Sequence, residues 1–252
     1  MADPLIFDTD VARQKPSNAD ACPFCDRKQL ARILDEKDDM LWIDNKYQTI
    51  KQAYQTLVIE TKDHKAHFAN YSRQKAFEVL SYFLSCWEKL RAKDGVQSVI
   101  AFKNFGALSG GSLEHSHMQL VAFTDRDAHQ NIRKEHLIGA LIYRQDGVDV
   151  NVSSHPFMGI TEFNICAKSL NRTFSNLLQD VIRYVLTRLF SGRCNSYNLF
   201  FITQEDKLVC KVVPRFVTSP YFIGYGLTQV ASPISRDELQ KDMKDWLEQV
   251  PD

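Results

Sequence analysis

The chain has 252 residues, 44% of them hydrophobic and 25% charged, the make-up of a globular protein with apolar material for one large domain or two small ones sharing a core. Lys+Arg and Asp+Glu both number 31, and this zero formal net charge argues against general electrostatic binding to nucleic acid or to an anionic membrane. No run approaches the length of a membrane span, "MADPLIFDTDVARQ" lacks the apolar core of a signal peptide, and six cysteines without a secretory signal are expected as thiols or metal ligands; together these predict a cytoplasmic protein.

After a polar, irregular start, "DRKQLARIL" is a short helix candidate. "MLWID" and "QTLVIET" are predicted strands, the second rich in Val, Ile and Thr. In "YSRQKAFEVLSYFLSCWEKL" the period changes: Leu80, Phe83, Leu84, Trp87 and Leu90 recur at helical spacing, with Ser72 as N-cap. "VQSVIAFKN", a glycine-containing loop and the strand "SHMQLVAF" follow.

Past residue 135 the same order recurs. "ALIYRQ" and "VDVNVS" are predicted hairpin strands around Asp146-Gly147, and "GITEFNICAK" is a further strand. "RTFSNLLQDVIRYVLTRLF" is a strongly periodic helix, and "SYNLFFIT" and "KLVCKVV" complete the set. The predicted architecture is therefore α+β, two tandem related units at 1–135 and 136–252, each an antiparallel sheet with a long helix packed on it. The tail "SPISRDELQKDMKDWLEQV" is a helix, with Ser235 and Glu238 as a capping box and Leu239, Met243, Trp246 and Val250 on its apolar face.

Two stretches carry chemistry. "ACPFC" puts Cys22 and Cys25 at the spacing that lets two thiolates grip one tetrahedral ion; a redox dithiol and coincidence are the alternatives. The polar, proline-broken "RQKPSNAD" upstream is unlike the buried strand that precedes a redox pair. Two more ligands must come from seven histidines: His64 lies just after a strand, with His67 close by, and His115 opens "HSHMQ". A strand presents alternate residues to one face, so His115, His117 and Gln119 point the same way; the bland alternative is a pair of surface histidines. Gly110, Gly111 and Ser112, just upstream, can cradle phosphate oxygens with their N–H groups or simply form a tight turn.

"CPFC", "DHK" after a strand, "FKNFG" and "HSHMQ" together resemble the galactose-1-phosphate uridylyltransferase branch of the histidine-triad superfamily. The resemblance implies two histidine-triad-like units, the second degenerate, since "VCKVVPRF" stands where a second H-x-H would fall. It implies structural zinc on Cys22, Cys25, His64 and His115, with His117 as the nucleophile. It further implies Gln119 on a phosphoryl oxygen and Asn104 in the substrate site. The implied activity is transfer of a nucleoside monophosphate, through a covalent histidine intermediate, to a sugar phosphate or phosphate. Its partners would be a nucleotide sugar or dinucleotide and a phosphorylated small molecule; the assembly is open between a homodimer and a monomer whose two units mimic the dimer of single-unit relatives. The resemblance makes glutamine, in place of a third histidine, a mark of transferases and phosphorylases rather than hydrolases. Ser116 stands where the uridylyltransferases typically have proline, which opens the sugar specificity; a dinucleoside polyphosphate or ADP-sugar phosphorylase, which shares the H-x-H-x-Q pattern, and a nucleotide-binding sensor without turnover are the alternatives. Lys211 and Arg215 are candidates for a substrate phosphate or simply solvated, and His155 is expected to be structural.

Overall fold

The computed structural model describes residues 4–16, 21–30 and 32–249. Ten strands form one antiparallel sheet. Its first half holds β1 (Ile33–Lys37), β2 (Met40–Asp44), β3 (Ala53–Ile59), β4 (Ser98–Phe105) and β5 (His117–Phe123). Its second half holds β6 (Gly139–Gln145), β7 (Val148–Ser153), β8 (Phe163–Ala167), β9 (Tyr197–Gln204) and β10 (Lys207–Pro214). The order across the sheet is β1-β2-β3-β5-β4-β9-β10-β8-β7-β6. Each half thus has the same internal order, and the two halves meet at β4 and β9. The repeat of elements legible in the sequence is this pseudo-symmetry, and the two units share one continuous sheet.

The helices are α1 (Thr9–Arg13), α2 (Arg73–Arg91), α3 (Arg172–Thr187), α4 (Pro220–Tyr225) and α5 (Pro233–Gln249). Ser72 Oγ accepts from Lys75 N–H at the start of α2, as its place before the apolar period predicts. Ala76, Leu80, Phe83, Trp87 and Leu90 bury one face of α2 against Val99, Ala101, Met118 and Leu120 of the sheet. At about 1.5–3 kcal/mol for each fully buried large apolar side chain, this layer holds the first unit together. α3 does the same for the second unit, and Gln179 on it donates to the carbonyls of Phe68 and Tyr71 at 2.9 and 2.8 Å, tying the units together.

Two expected elements differ. "DRKQLARIL" forms one 3-10 turn, Arg27–Gln29, where Asp26 accepts from Lys28 N–H. Ile33 and Leu34 belong instead to β1, because pairing with β2 outweighs local helical preference there. The last helix starts earlier than its expected capping box: Ser232 Oγ accepts from Ser235 N–H, and Pro233 takes the first helical position, where its missing N–H costs nothing. Met243 and Leu247 are its buried residues, and Val250 lies outside the described residues.

Candidate functional site

The sheet's other face carries the chemistry. Leu41, Ile43, Leu57 and Ile59 form a second small core there with Phe24, which brings the 22–25 tetrapeptide onto the start of β5. Cys22, Cys25, His64 and His115 each offer a ligand atom, all four within 4.8 Å of one another. Nδ1 of His115 lies 3.5 Å from each thiol sulfur, and Nδ1 of His64 lies 3.4 Å from Cys25 Sγ. A tetrahedral ion with metal–sulfur and metal–nitrogen bonds of about 2.3 and 2.05 Å would give edges of about 3.6 Å, so the donors present fit such an ion. His115 Nε2 is 2.9 Å from the carbonyl oxygen of Thr61; donating there fixes the tautomer that leaves Nδ1 free for a metal. Burial, and then the neighbouring Cys22, raises the Cys25 thiol, the effect a bound cation would reverse. His67 is elsewhere, packed on Phe105 with 4.8 Å between ring centroids.

β5 begins at His117, so His115 sits on the approach to the strand rather than inside it. His117 Nδ1 donates to the carbonyl oxygen of His115 at 2.8 Å. Nε2 is then the ring nitrogen that carries the lone pair, and it has no hydrogen-bond partner among the described residues. The ring packs edge-on against Phe24, 5.2 Å between centroids. Burial, opposed by the His115 carbonyl and assisted by the Lys103 ammonium, pushes the His117 pKa down to about 4. The imidazole is therefore neutral at pH 7.

His117, Gln119, Asn104, Gly110, Gly111 and Ser112 all line one cleft of about 470 Å³, which continues past Leu57, Ile43 and Asn45. The turn before it is built by glycine. Gly106 has φ +83°, and a Cβ there would sit 2.4 Å from the carbonyl oxygen of Asn195. Gly110, also at φ +83°, closes the next 3-10 turn in a left-handed conformation. Gly111 N–H donates to Ser109 Oγ at 3.3 Å, so this loop is partly a self-bonded turn.

Two features were not read from the sequence. Asn198, on β9, donates to Asn104 Oδ1 at 2.7 Å and to the Ser109 carbonyl at 3.0 Å, and Arg215 donates to Asn198 Oδ1 at 3.1 Å. Arg215 is thereby linked through Asn198 to Asn104, the member of this chain of bonds that lines the cleft. Lys211 stands apart: its side chain is buried beside Glu162 at 2.9 Å and donates to the His136 carbonyl, Ser153 and Asn164. Burial lowers its pKa, and the lysine serves the second unit's interior rather than a substrate. The second feature is a buried ion pair, Lys103 with Glu60, behind His117.

The N-terminal domain of DUF4931, a domain of unknown function, matches residues 7–126, and its C-terminal domain matches residues 129–247. A DUF4931 family protein from Bacillus cereus ATCC 10987 has 33% identity and a TM-score of 0.78, over 86% of this chain and 100% of that one. The chain belongs to the DUF4931 family. Outside it, a galactose-1-phosphate uridylyltransferase of Streptomyces lividans is 29% identical over 129 residues, 48% of this chain and 36% of that protein. The match thus spans about a third of that relative's length. An ADP-glucose phosphorylase of Arabidopsis thaliana, solved with ADP-glucose bound, superposes with a TM-score of 0.67 at 17% identity, over 95% of this chain and 94% of that one. That likeness places this DUF4931 member in the same fold. Among the described residues, no helix is long and apolar enough to cross a membrane.

Proposed function

We propose that this DUF4931 protein is a nucleotidyltransferase in which His117 carries a nucleoside monophosphate from a nucleotide sugar to a phosphorylated acceptor. What carries the reading is His117 itself, its Nδ1 held by a backbone carbonyl and its ring set in the wall of a cleft with Gln119 and the 110–112 loop. Nε2 attacks the α-phosphorus, an N–P bond forms, and the P–O bond to the departing sugar phosphate breaks. The leaving group is a phosphate whose last pKa is about 6, so it needs no proton from the enzyme, and the acceptor phosphate is already ionised, so an amide at Gln119 suffices where a water nucleophile would need a base to take its proton. An oxygen of the acceptor phosphate then attacks the same phosphorus and frees Nε2. Gln119 and Asn104 are assigned to phosphoryl oxygens, and free N–H groups of the Gly110–Ser112 loop to the developing charge.

Zinc is the metal proposed for Cys22, Cys25, His64 and His115, where it would supply structure, pinning His115 and the approach to β5. The uridylyltransferase from Streptomyces lividans supports a uridylyl donor and a hexose phosphate acceptor, and the ADP-glucose in the Arabidopsis enzyme supports an adenylyl donor. A second copy of the chain is the proposed partner, covering exposed side chains such as Val217, Ile223 and Tyr225. The test is isotope exchange. With UDP-glucose or ADP-glucose, label should pass between the nucleotide sugar and its own sugar phosphate with no second acceptor present. Exchange that requires a second acceptor would rule out the covalent route.

A further inference from the structure

Behind β5, on the face covered by α2, lies a polar cluster in an otherwise apolar layer. Ser116 and Lys103 continue the rows Met118–Leu120 and Ala101–Val99, whose members are all packed against α2. Lys103 and Glu60 form an ion pair with side-chain exposures of 1% and 0%. Lys103 Nζ also donates to Ser116 Oγ at 2.8 Å and to the His117 carbonyl at 3.3 Å. Ser116 Oγ donates in turn to Glu60 Oε2 at 2.9 Å, Tyr71 OH donates to the same oxygen at 3.1 Å, and Glu60 N–H donates to the Ser116 carbonyl at 3.2 Å.

Stability alone does not account for this arrangement. Two charges taken out of water are often replaced without loss by apolar groups of the same volume, so a buried pair needs another reason to be there. Nor is it a feature of the repeat. The second unit's buried pair, Lys211 with Glu162, lies on the opposite face, where Glu162 accepts from the N–H groups of Phe157, Met158 and Gly159. What the Lys103 pair does touch is the residue between the two histidines: it grips Ser116 by its hydroxyl and its carbonyl, and His117 by its carbonyl.

We infer that Lys103, Glu60 and Ser116 are positioning residues, a clamp on the far side of the sheet that holds the 115–117 backbone so that His117 keeps its Nδ1 on the His115 carbonyl and its Nε2 in line with the phosphorus. The inference deepens the nucleotidyl-transfer reading and rests on it for the role, while the clamp itself is testable without any nucleotide.

The experiment uses the full-length, zinc-loaded chain and the variant Ser116→Ala, which removes one hydroxyl and leaves Lys103 and Glu60 facing each other. Its first readout is the exchange rate of the His117 Nδ1–H with water, by ¹H–¹⁵N NMR. Its second is the single-turnover rate of His117 nucleotidylation by UDP-glucose and by ADP-glucose. Ser116→Ala should exchange this proton faster and react roughly tenfold more slowly, with nucleotide affinity and zinc content unchanged, and Ser116→Thr should restore both. The double variant Lys103→Met/Glu60→Gln, which leaves no unpaired charge, should repeat the Ser116→Ala result. A lower Tm with Nδ1–H exchange as in the wild type would show a purely structural role and overturn the inference. If Nδ1–H exchange responds but no nucleotide labels the wild type, the clamp stands and the nucleotidyl-transfer reading falls.

Discussion

Asn198 Nδ2 donates to Asn104 Oδ1 at 2.7 Å across the seam between β9 and β4, so the second unit orients a side chain in the first unit's cleft. The second unit lacks an H-x-H motif, yet it is joined to the site through this bond. Replacing Asn198 with Ala removes a bond worth about 0.5–1.5 kcal/mol and frees Asn104 to turn. Nucleotidyl transfer should slow by roughly three- to tenfold with zinc content unchanged, as steady-state kinetics and elemental analysis can check.

His117 sets a pH dependence with a definite sign. Its pKa is near 6.5 in an unfolded chain and about 4 in the fold, so between those values the unfolded state binds the extra proton. Stability is therefore insensitive to this group above about pH 6.5 and falls as pH drops from there toward about 4, at up to about 1.4 kcal/mol per pH unit. Thermal unfolding of the wild type and of His117→Gln between these limits should show a shallower slope for the variant. The metal ligands contribute to both proteins and cancel in the comparison. Identical slopes would mean that His117 titrates as it does in the unfolded chain.

The metal cluster predicts a shared loss. Cys22→Ser and His64→Ala should each lower zinc content, lower Tm, and slow nucleotidyl transfer, because the same four side chains fix the approach to β5. Chelation of the wild type should reproduce all three effects, and re-added zinc should reverse them.

Lys211 gives a contrasting test. Its Nζ is buried with Glu162 2.9 Å away, so Lys211→Met leaves a carboxylate in the interior with no counter-charge from this lysine and only the backbone N–H groups of Phe157, Met158 and Gly159 to hold it. The cost should be about 3–5 kcal/mol of stability, measured by denaturant unfolding. Affinity for the sugar phosphate should stay the same in the fraction that folds, as a residue that does not line the cleft requires.

Periodicity made much of this fold legible. The helices α2 and α3 and the repeated element order follow from apolar spacing that no tertiary contact overrides. His117 and Gln119 share a face because a strand alternates, and that is visible in five letters of sequence. Lys103 was not legible: a lysine inside a strand is expected in solvent, and its burial is made tolerable by the counter-charge of Glu60, 43 residues earlier, with Ser116 and the His117 carbonyl as further acceptors. Asn198 was hidden for a similar reason, since its partner Asn104 lies 94 residues away and is set by which strands meet at the seam. "DRKQLARIL" misled because β1 is an edge strand fixed by β2 and not by its own composition.

The covalent role of His117 has one direct measurement, intact-mass analysis after incubation with UDP-glucose, ADP-glucose and a dinucleoside tetraphosphate. The wild type should gain the mass of UMP or AMP, which also names the base, and the adduct should disappear when the matching sugar phosphate or phosphate is added. His117→Gly should bind zinc, fold, and gain nothing. A His117→Gly protein that acquires the same adduct, or that exchanges nucleotide at the wild-type rate, would contradict the account.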